Sequence, residues 1–295
     1  MDVSLIIPVH SGVEGLVRLF LSLDRLETEK IRAECILVAD RCDESVVRRL
    51  QSWCRLKTDC RWVRCIVLPV DFGSPDKARN LGQKRASGKV LAFMDDDCRP
   101  SHKWLLSGLR HIQNWNSVTG PVVHPTTWLG ISMAVMDFGE FQAKAPSAIK
   151  NAPGCNLFVR SEVISEYPTL PECGYGGDRL FAASLAELEP IRYHPDVVVF
   201  HEPKWDWKSI WSRETRYGRV AWAARLANPS LPWSSLLRLG AVAPLILATG
   251  RLVLDCKRLW FGEWPLVYKL CVTFSLFPAR IGYFLGLFRQ RRQKS

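Results

Sequence analysis

Four short apolar runs in the first hundred residues, each but the last followed by a stretch with helical spacing, restrict the fold more than any other feature. The runs are Val3–Val9, Cys35–Ala39, Cys65–Val70 and Val90–Met94. After the first, Leu16, Leu19, Phe20 and Leu23 recur at helical intervals, and Val46–Trp53 reads as a second helix. Ser74-Pro75-Asp76 reads as the start of a third, with proline at the first helical position and Gly88 as its stop. Strands alternating with helices build a parallel α/β sheet, and such sheets bind ligands outside the carboxyl ends of their strands. Further signals follow at Asn156–Val163, Asp178–Leu188 and Val197–Phe200. No internal repeat and no low-complexity tract interrupts them.

Composition supports a chain with a core of its own. At 295 residues, 47% hydrophobic and 23% charged, it is neither disordered, collagen-like nor a coiled coil. The net charge of +11 is unevenly placed. Residues 1–200 hold 24 basic and 24 acidic side chains, whereas residues 201–295 hold 16 basic and 5 acidic ones and seven of the 12 Trp. Two regions with different surroundings follow from that asymmetry. The ten Cys include no C-x-x-C pair and no cysteine knuckle with His at metal spacing, so a zinc site is not expected. Reduced cytosolic thiols are expected rather than a disulfide framework. The first eight residues carry no basic leader and their apolar run is cut by Pro8, so the N-terminal region is read as cytoplasmic.

The fourth run ends in Asp95-Asp96-Asp97. Three adjacent carboxylates repel one another unless a cation sits among them. Mg²⁺ answers that need with one or two carboxylates, substrate phosphates and water. If strand geometry persists, Asp95 and Asp97 project to one side and Asp96 to the other. A solvated acidic turn is the plainer alternative.

In order along residues 3–225, the chain reads VSLIIPVHSGVEGLVRLFLSL, ILVADRCDES, GSPDKARNLGQKRASGKVLAFMDDDCRP, GCNLFVRSEVI, GYGGDRLFAASLAE, IRYHPDVVVFHE and RYGR. This series resembles the family-2 glycosyltransferases of the GT-A fold. The resemblance implies a Rossmann-like, mostly parallel central sheet flanked by helices. It makes Asp95 and Asp97 the D-x-D pair, with Asp95 and Asp96 on the nucleotide-sugar and Asp97 on a divalent metal, Mn²⁺ or Mg²⁺. It places Asp40 at the nucleotide base and Pro8, His10 and Glu14 along the nucleotide pocket. Glu14 also suits the first turn of a helix as a plain dipole partner. Lys77 and Arg79 become diphosphate contacts, although roughly 200° separates them on an ideal helix. Asp178 matches the catalytic base of the family's E-D motif, with a helix N-cap as its structural alternative. His201 matches a metal-side histidine. Departures are Ala39 before Asp40, Gly177 in place of an acid before Asp178, and WSRETRYGR where processive synthases carry Q-x-x-R-W. The last favours single-sugar transfer.

Past residue 203 the character changes. Asn228–Pro232 reads as a linker, followed by the apolar stretches Leu236–Leu254 and Pro265–Phe288 and a basic end from Arg289 to Lys294. A crossing needs about 20 mostly apolar residues. Arg238, Pro244, Arg251, Lys269 and Arg280 interrupt these stretches, and a cation at the bilayer centre costs about 2.5–3.5 kcal/mol. A helical hairpin lying in the cytoplasmic leaflet fits better than two crossings. Long apolar runs need a burial that nucleic-acid binding does not provide, so nucleic acid is not expected.

The expected organisation is a catalytic domain at 1–227 and a helical membrane-associated region at 228–295, with residues 236–295 on the membrane. The expected function is inverting, metal-dependent transfer of one sugar from a nucleotide-sugar to a lipid-linked or polysaccharide acceptor at the cytoplasmic membrane face. A nucleotidyltransferase would need a glycine-rich phosphate loop with a basic residue, which residues 10–14 lack. A non-catalytic sugar-nucleotide or glycan-binding membrane protein is the remaining alternative, suggested by Gly177 and Ala39.

Overall fold

The computed structural model describes residues 1–294 apart from 11, 29–30, 59–61, 140, 143–144, 167–169, 173–175, 203–206, 228 and 230. The alternation read from the first hundred residues is present. It runs β1 (Val3–Val9), α1 (Val13–Leu23), β2 (Ala33–Asp40), α2 (Glu44–Lys57), β3 (Arg64–Val70), α3 (Pro75–Arg85) and β4 (Val90–Phe93). β1 pairs in parallel with β2 and β4, and β2 with β3, so that Ile6 lies opposite both Ile36 and Phe93. Every residue of β1 and β2 is buried, as inner strands of an α/β sheet require. Ser74 caps α3 by accepting from the Lys77 amide, and Pro75 follows at the first helical position. Gly88 is not the helix stop. α3 ends three residues earlier, and a Cβ on Gly88 would lie 2.5 Å from the Ser4 nitrogen of β1.

The remainder of the sheet is mixed. In chain order come β5 (Cys98–Pro100), α4 (Trp104–His111), β6 (Ser117–Thr119), β7 (Val122–Val123), α5 (Trp128–Phe138) and β8 (Ser147–Ile149). They are followed by β9 (Leu157–Arg160), α6 (Ser161–Glu166), α7 (Gly177–Leu188), β10 (Ile191–Tyr193) and β11 (Val199–His201). The large sheet has the order β3-β2-β1-β4-β9-β6-β10-β8, with β9 antiparallel to both neighbours and β8 antiparallel to β10. A small second sheet has the order β5-β11-β7. Ile6, Ile36, Val38, Phe93, Leu157, Phe181 and Ile191 form the main core.

Two compact units result. The first is Met1–Val123 with Glu140–Pro203, and the second is His124–Gly139 with Lys204–Ser295. The first contains the sheets. The second contains α5, α8 (Trp207–Ala227), α9 (Ala243–Phe261), α10 (Leu266–Lys294) and a 3₁₀ segment at Ser234–Val242. The division therefore differs from a break at 227/228, because α8 packs with the C-terminal helices. Glycines let two of these helices meet: a Cβ on Gly218 would lie 2.1 Å from the Tyr283 oxygen, and one on Gly286 2.1 Å from the Thr215 oxygen. Inside this unit Arg213 pairs with Asp137 at 2.6 Å, and Arg280 joins Asp255 at 2.6 Å and Glu214. The expected linker lies partly outside the described residues.

Cys54 at the end of α2 and Cys65 in β3 form a disulfide, with their Cα atoms 5.1 Å apart. The expectation of reduced thiols is corrected here, because packing of α2 beside β3 brings the pair together where spacing gives no hint. Cys60 and Cys173 lie outside the described residues.

Candidate active site

The sequence-derived site residues gather at the carboxyl ends of β1, β2 and β4, with β11 and the start of α7 beside them. The last residue of β2, Asp40, is buried, and its carboxylate accepts from three loop amides: Phe72 at 2.7 Å, Gly73 at 2.9 Å and Ser74 at 2.9 Å. Asp40 thereby shapes the loop between β3 and α3. His10 follows β1 and is exposed. Its backbone amide donates to Asp96 at 2.7 Å, and its Nδ1 lies 3.0 Å from the Asp40 carbonyl oxygen. Asp96 therefore ties the loop after β1 to the acidic turn. Pro8 is buried within β1, and Glu14 is exposed in the first turn of α1.

β4 stops at Phe93, so the acidic triplet is a turn, and strand alternation does not govern it. Asp95 reaches toward Arg79, Asp96 toward His10, and Asp97 toward His201. Arg79 is buried and ion-paired with Asp95, while its Nη1 lies 3.6 Å from Asp76 Oδ1. Against the cost of its burial, Asp95, Asp178 and Asp76 hold the guanidinium above its ordinary pKa. Lys77 points elsewhere and lies 3.8 Å from Glu172. The helical separation of Lys77 and Arg79 is real, and only Arg79 enters the cluster.

Asp178 lies in the first turn of α7, whose N-cap is Gly176, so the alternative of Asp178 as the cap is excluded. One carboxylate oxygen accepts from the Gly154 amide at 3.0 Å and the other from the Arg179 amide at 2.9 Å. The sequence reading passed over Asp76. This carboxylate is 1% exposed, and burial pushes its pKa up to about 6, with Arg79 opposing and Asp178 and Asp95 adding to the rise. It also explains Gly177: a Cβ there would lie 2.4 Å from Asp76 Oδ2 and 2.3 Å from the Pro171 oxygen. Near the start of a helix, Asp76 reads as an ordinary dipole partner, which is why sequence alone does not single it out.

On the other side, His201 ends β11 with its Nε2 3.4 Å from Asp97 Oδ1. Cys98, the first residue of β5, is buried, and its Sγ lies 3.7 Å from the same oxygen. These three side chains bring their ligand atoms within 4.8 Å of one another, a donor set that suits a divalent ion. The arrangement therefore offers a cation position at Asp97, a buried arginine behind Asp95, and a carboxylate at Asp178 within reach of that arginine's field. It can bind a charged leaving group and accept a proton.

Comparisons with known proteins identify the family and the fold. The profile of glycosyl transferase family 2 matches residues 4–166. A glycosyltransferase of Haloferax volcanii, AglE, is 28% identical over 173 residues, covering 57% of this chain and 56% of that protein. A pre-mycofactocin glycosyltransferase of Mycobacterium tuberculosis is 23% identical over 275 residues, covering 85% of this chain and 51% of that protein. The chain spans about half the length of these curated relatives. Among solved structures, the mannosyltransferase PcManGT from Pyrobaculum calidifontis, in complex with GDP-Man and Mn²⁺, superposes with a TM-score of 0.61 at 16% identity. That match covers 99% of this chain and 86% of the other, and it is a likeness of fold.

Proposed function

The chain belongs to glycosyl transferase family 2, and on that premise we propose that it transfers a single sugar from a nucleotide-sugar to an acceptor hydroxyl with inversion at the anomeric carbon. The observation that carries the reading is the convergence of Asp95, Asp97, His201 and Asp178 at the carboxyl edge of the sheet. Asp95, fixed by Arg79, meets the donor beside its diphosphate, and the loop that Asp40 ties down lines the nucleotide. A divalent ion held by Asp97 and His201, Mn²⁺ or Mg²⁺, would neutralise charge on the departing diphosphate. Asp178 takes the proton of the acceptor hydroxyl as that oxygen bonds to the anomeric carbon. The bond from that carbon to the diphosphate oxygen breaks on the opposite face.

The acceptor in this reading is a lipid-linked or polysaccharide intermediate met at the cytoplasmic face of a membrane. Within Ser234–Phe261 and Leu266–Arg292, 18-residue stretches reach mean hydropathies of 1.6 and 1.5. Leu266, Leu270, Phe274, Phe277 and Ile281 leave one exposed apolar stripe along α10, with Phe274 77% exposed. Asp255, Glu214 and Arg280 face inward, the reverse of an ordinary water-facing helix pair. α10 also packs closely on α8, which carries Arg213, Glu214, Arg216 and Arg219. Drawing α8 into hydrocarbon with it would be costly, so the reading favours helices lying in one leaflet.

Asp178→Asn tests the base. Transfer is expected to fall by about 10²–10⁴-fold while donor binding and thermal stability hold. A variant that transfers sugar at a near-normal rate ends the assignment.

A further inference from the structure

Cys98 and His201 are directly opposed across the antiparallel pair β5–β11, so their side chains share one face of the small sheet. Asp97, one residue before Cys98, brings its Oδ1 to 3.4 Å from His201 Nε2 and 3.7 Å from Cys98 Sγ. An ion bonded at ordinary lengths, about 2.3 Å to sulfur and about 2.1 Å to nitrogen and oxygen, sets such ligand atoms roughly 3.4–3.6 Å apart at tetrahedral angles. The two separations from Asp97 are close to these values, and all three ligand atoms lie within 4.8 Å of one another. Cys98 is 3% exposed and His201 7%, so both are held by packing, and Cys155 lies behind Cys98 as a hydrogen-bonding neighbour.

We infer that Cys98 is a third protein ligand of the metal position, giving an Asp–His–Cys set with the remaining position open to a diphosphate oxygen. The inference rests on the reading of Asp97 and His201 as metal ligands and adds a thiolate to them. On binding, the Cys98 sulfur–hydrogen bond breaks, its proton leaves to solvent, and a sulfur–metal bond forms, with no change of oxidation state. The metal-bound set then carries one carboxylate, one thiolate and a neutral imidazole against the dication. A thiolate ligand moves the preference away from Mg²⁺ and toward Zn²⁺ and Co²⁺.

Titrating the purified full chain with Co²⁺ alone tests this directly. A thiolate ligand gives an intense sulfur-to-cobalt charge-transfer band in the near ultraviolet, which carboxylate and imidazole ligands do not. The wild-type chain is expected to develop the band at one Co²⁺ per chain. Cys98→Ser loses it, Cys155→Ser keeps it, and the Zn²⁺-over-Mg²⁺ preference falls by about tenfold or more in Cys98→Ser. Wild-type chain that binds no Co²⁺, or binds it without the band, overturns the inference, and this result needs no variant. A band unchanged in Cys98→Ser overturns it equally. The underlying reading fails separately, if Asp97→Asn and His201→Ala leave both Co²⁺ and nucleotide-sugar binding unchanged.

Discussion

At the scale of single residues, two buried aspartates carry the local argument. Asp76 has a folded pKa of about 6 against an ordinary 3.8, so between those values the folded chain holds a proton that the unfolded chain has lost. Its contribution is fully present below about pH 4 and is lost as pH rises through about 6. Relative to Asp76→Asn, the wild-type chain should therefore lose about 3 kcal/mol of stability between pH 4 and 7. Paired denaturant melts at the two pH values measure this, and a pH-independent difference would contradict it. Asp40 presents the opposite case, a carboxylate satisfied by three amides. Asp40→Ala should cost about 2–4 kcal/mol and speed hydrogen exchange at Phe72, Gly73 and Ser74. Exchange that stays slow at these amides would show that the loop holds itself. The acidic triplet and Asp178 were legible in sequence because adjacent like charges and an ordered motif series are local. Asp76 beside Gly177, and Cys98 opposite His201, depend on contacts about a hundred residues apart along the chain, which spacing cannot express.

At the scale of elements, legibility followed length and period. β1, β2 and β4 could be read because each is a continuous buried run, the edge strand β3 because its residues after Arg64 are apolar although none is fully buried, and α1 to α3 from their helical spacing or start signals. Strands of two or three residues such as β5, β7 and β10 carry too few side chains for any period to emerge. α5 was unread for a related reason: seven consecutive residues, Gly130–Met136, are buried, so no polar face marks it as a helix. The packing of α8 on α10 was equally hidden, since glycines signal close approach only once the partner is known. Gly286→Leu should force that pair apart and lower stability by about 1–3 kcal/mol in thermal melts, with less effect from Gly250→Leu, whose nearest neighbour atoms lie at 3.5 Å. Equal effects at the two positions would mean that the helix pair is not tightly joined.

At the scale of the whole molecule, charge and apolar surface divide the labour. The first 200 residues are electrically balanced, whereas the whole +11 excess lies beyond them with the exposed apolar stripes of α9 and α10. Binding to vesicles containing anionic lipid is expected to exceed binding to zwitterionic vesicles, to weaken with salt, and to drop in Phe274→Glu/Phe277→Glu. Binding indifferent to both lipid charge and these substitutions would contradict the membrane reading. The proposed donor site lies in the balanced unit and depends on one claim: a divalent ion and a nucleotide-sugar bind together at Asp95, Asp97 and His201. Calorimetric titration of the purified chain with a panel of nucleotide-sugars, each with Mn²⁺ and again with chelator, tests it most directly. The account predicts saturable binding of at least one donor with Mn²⁺, abolished by chelator and by Asp97→Asn. Donor binding of equal strength in chelator and in that variant would contradict it.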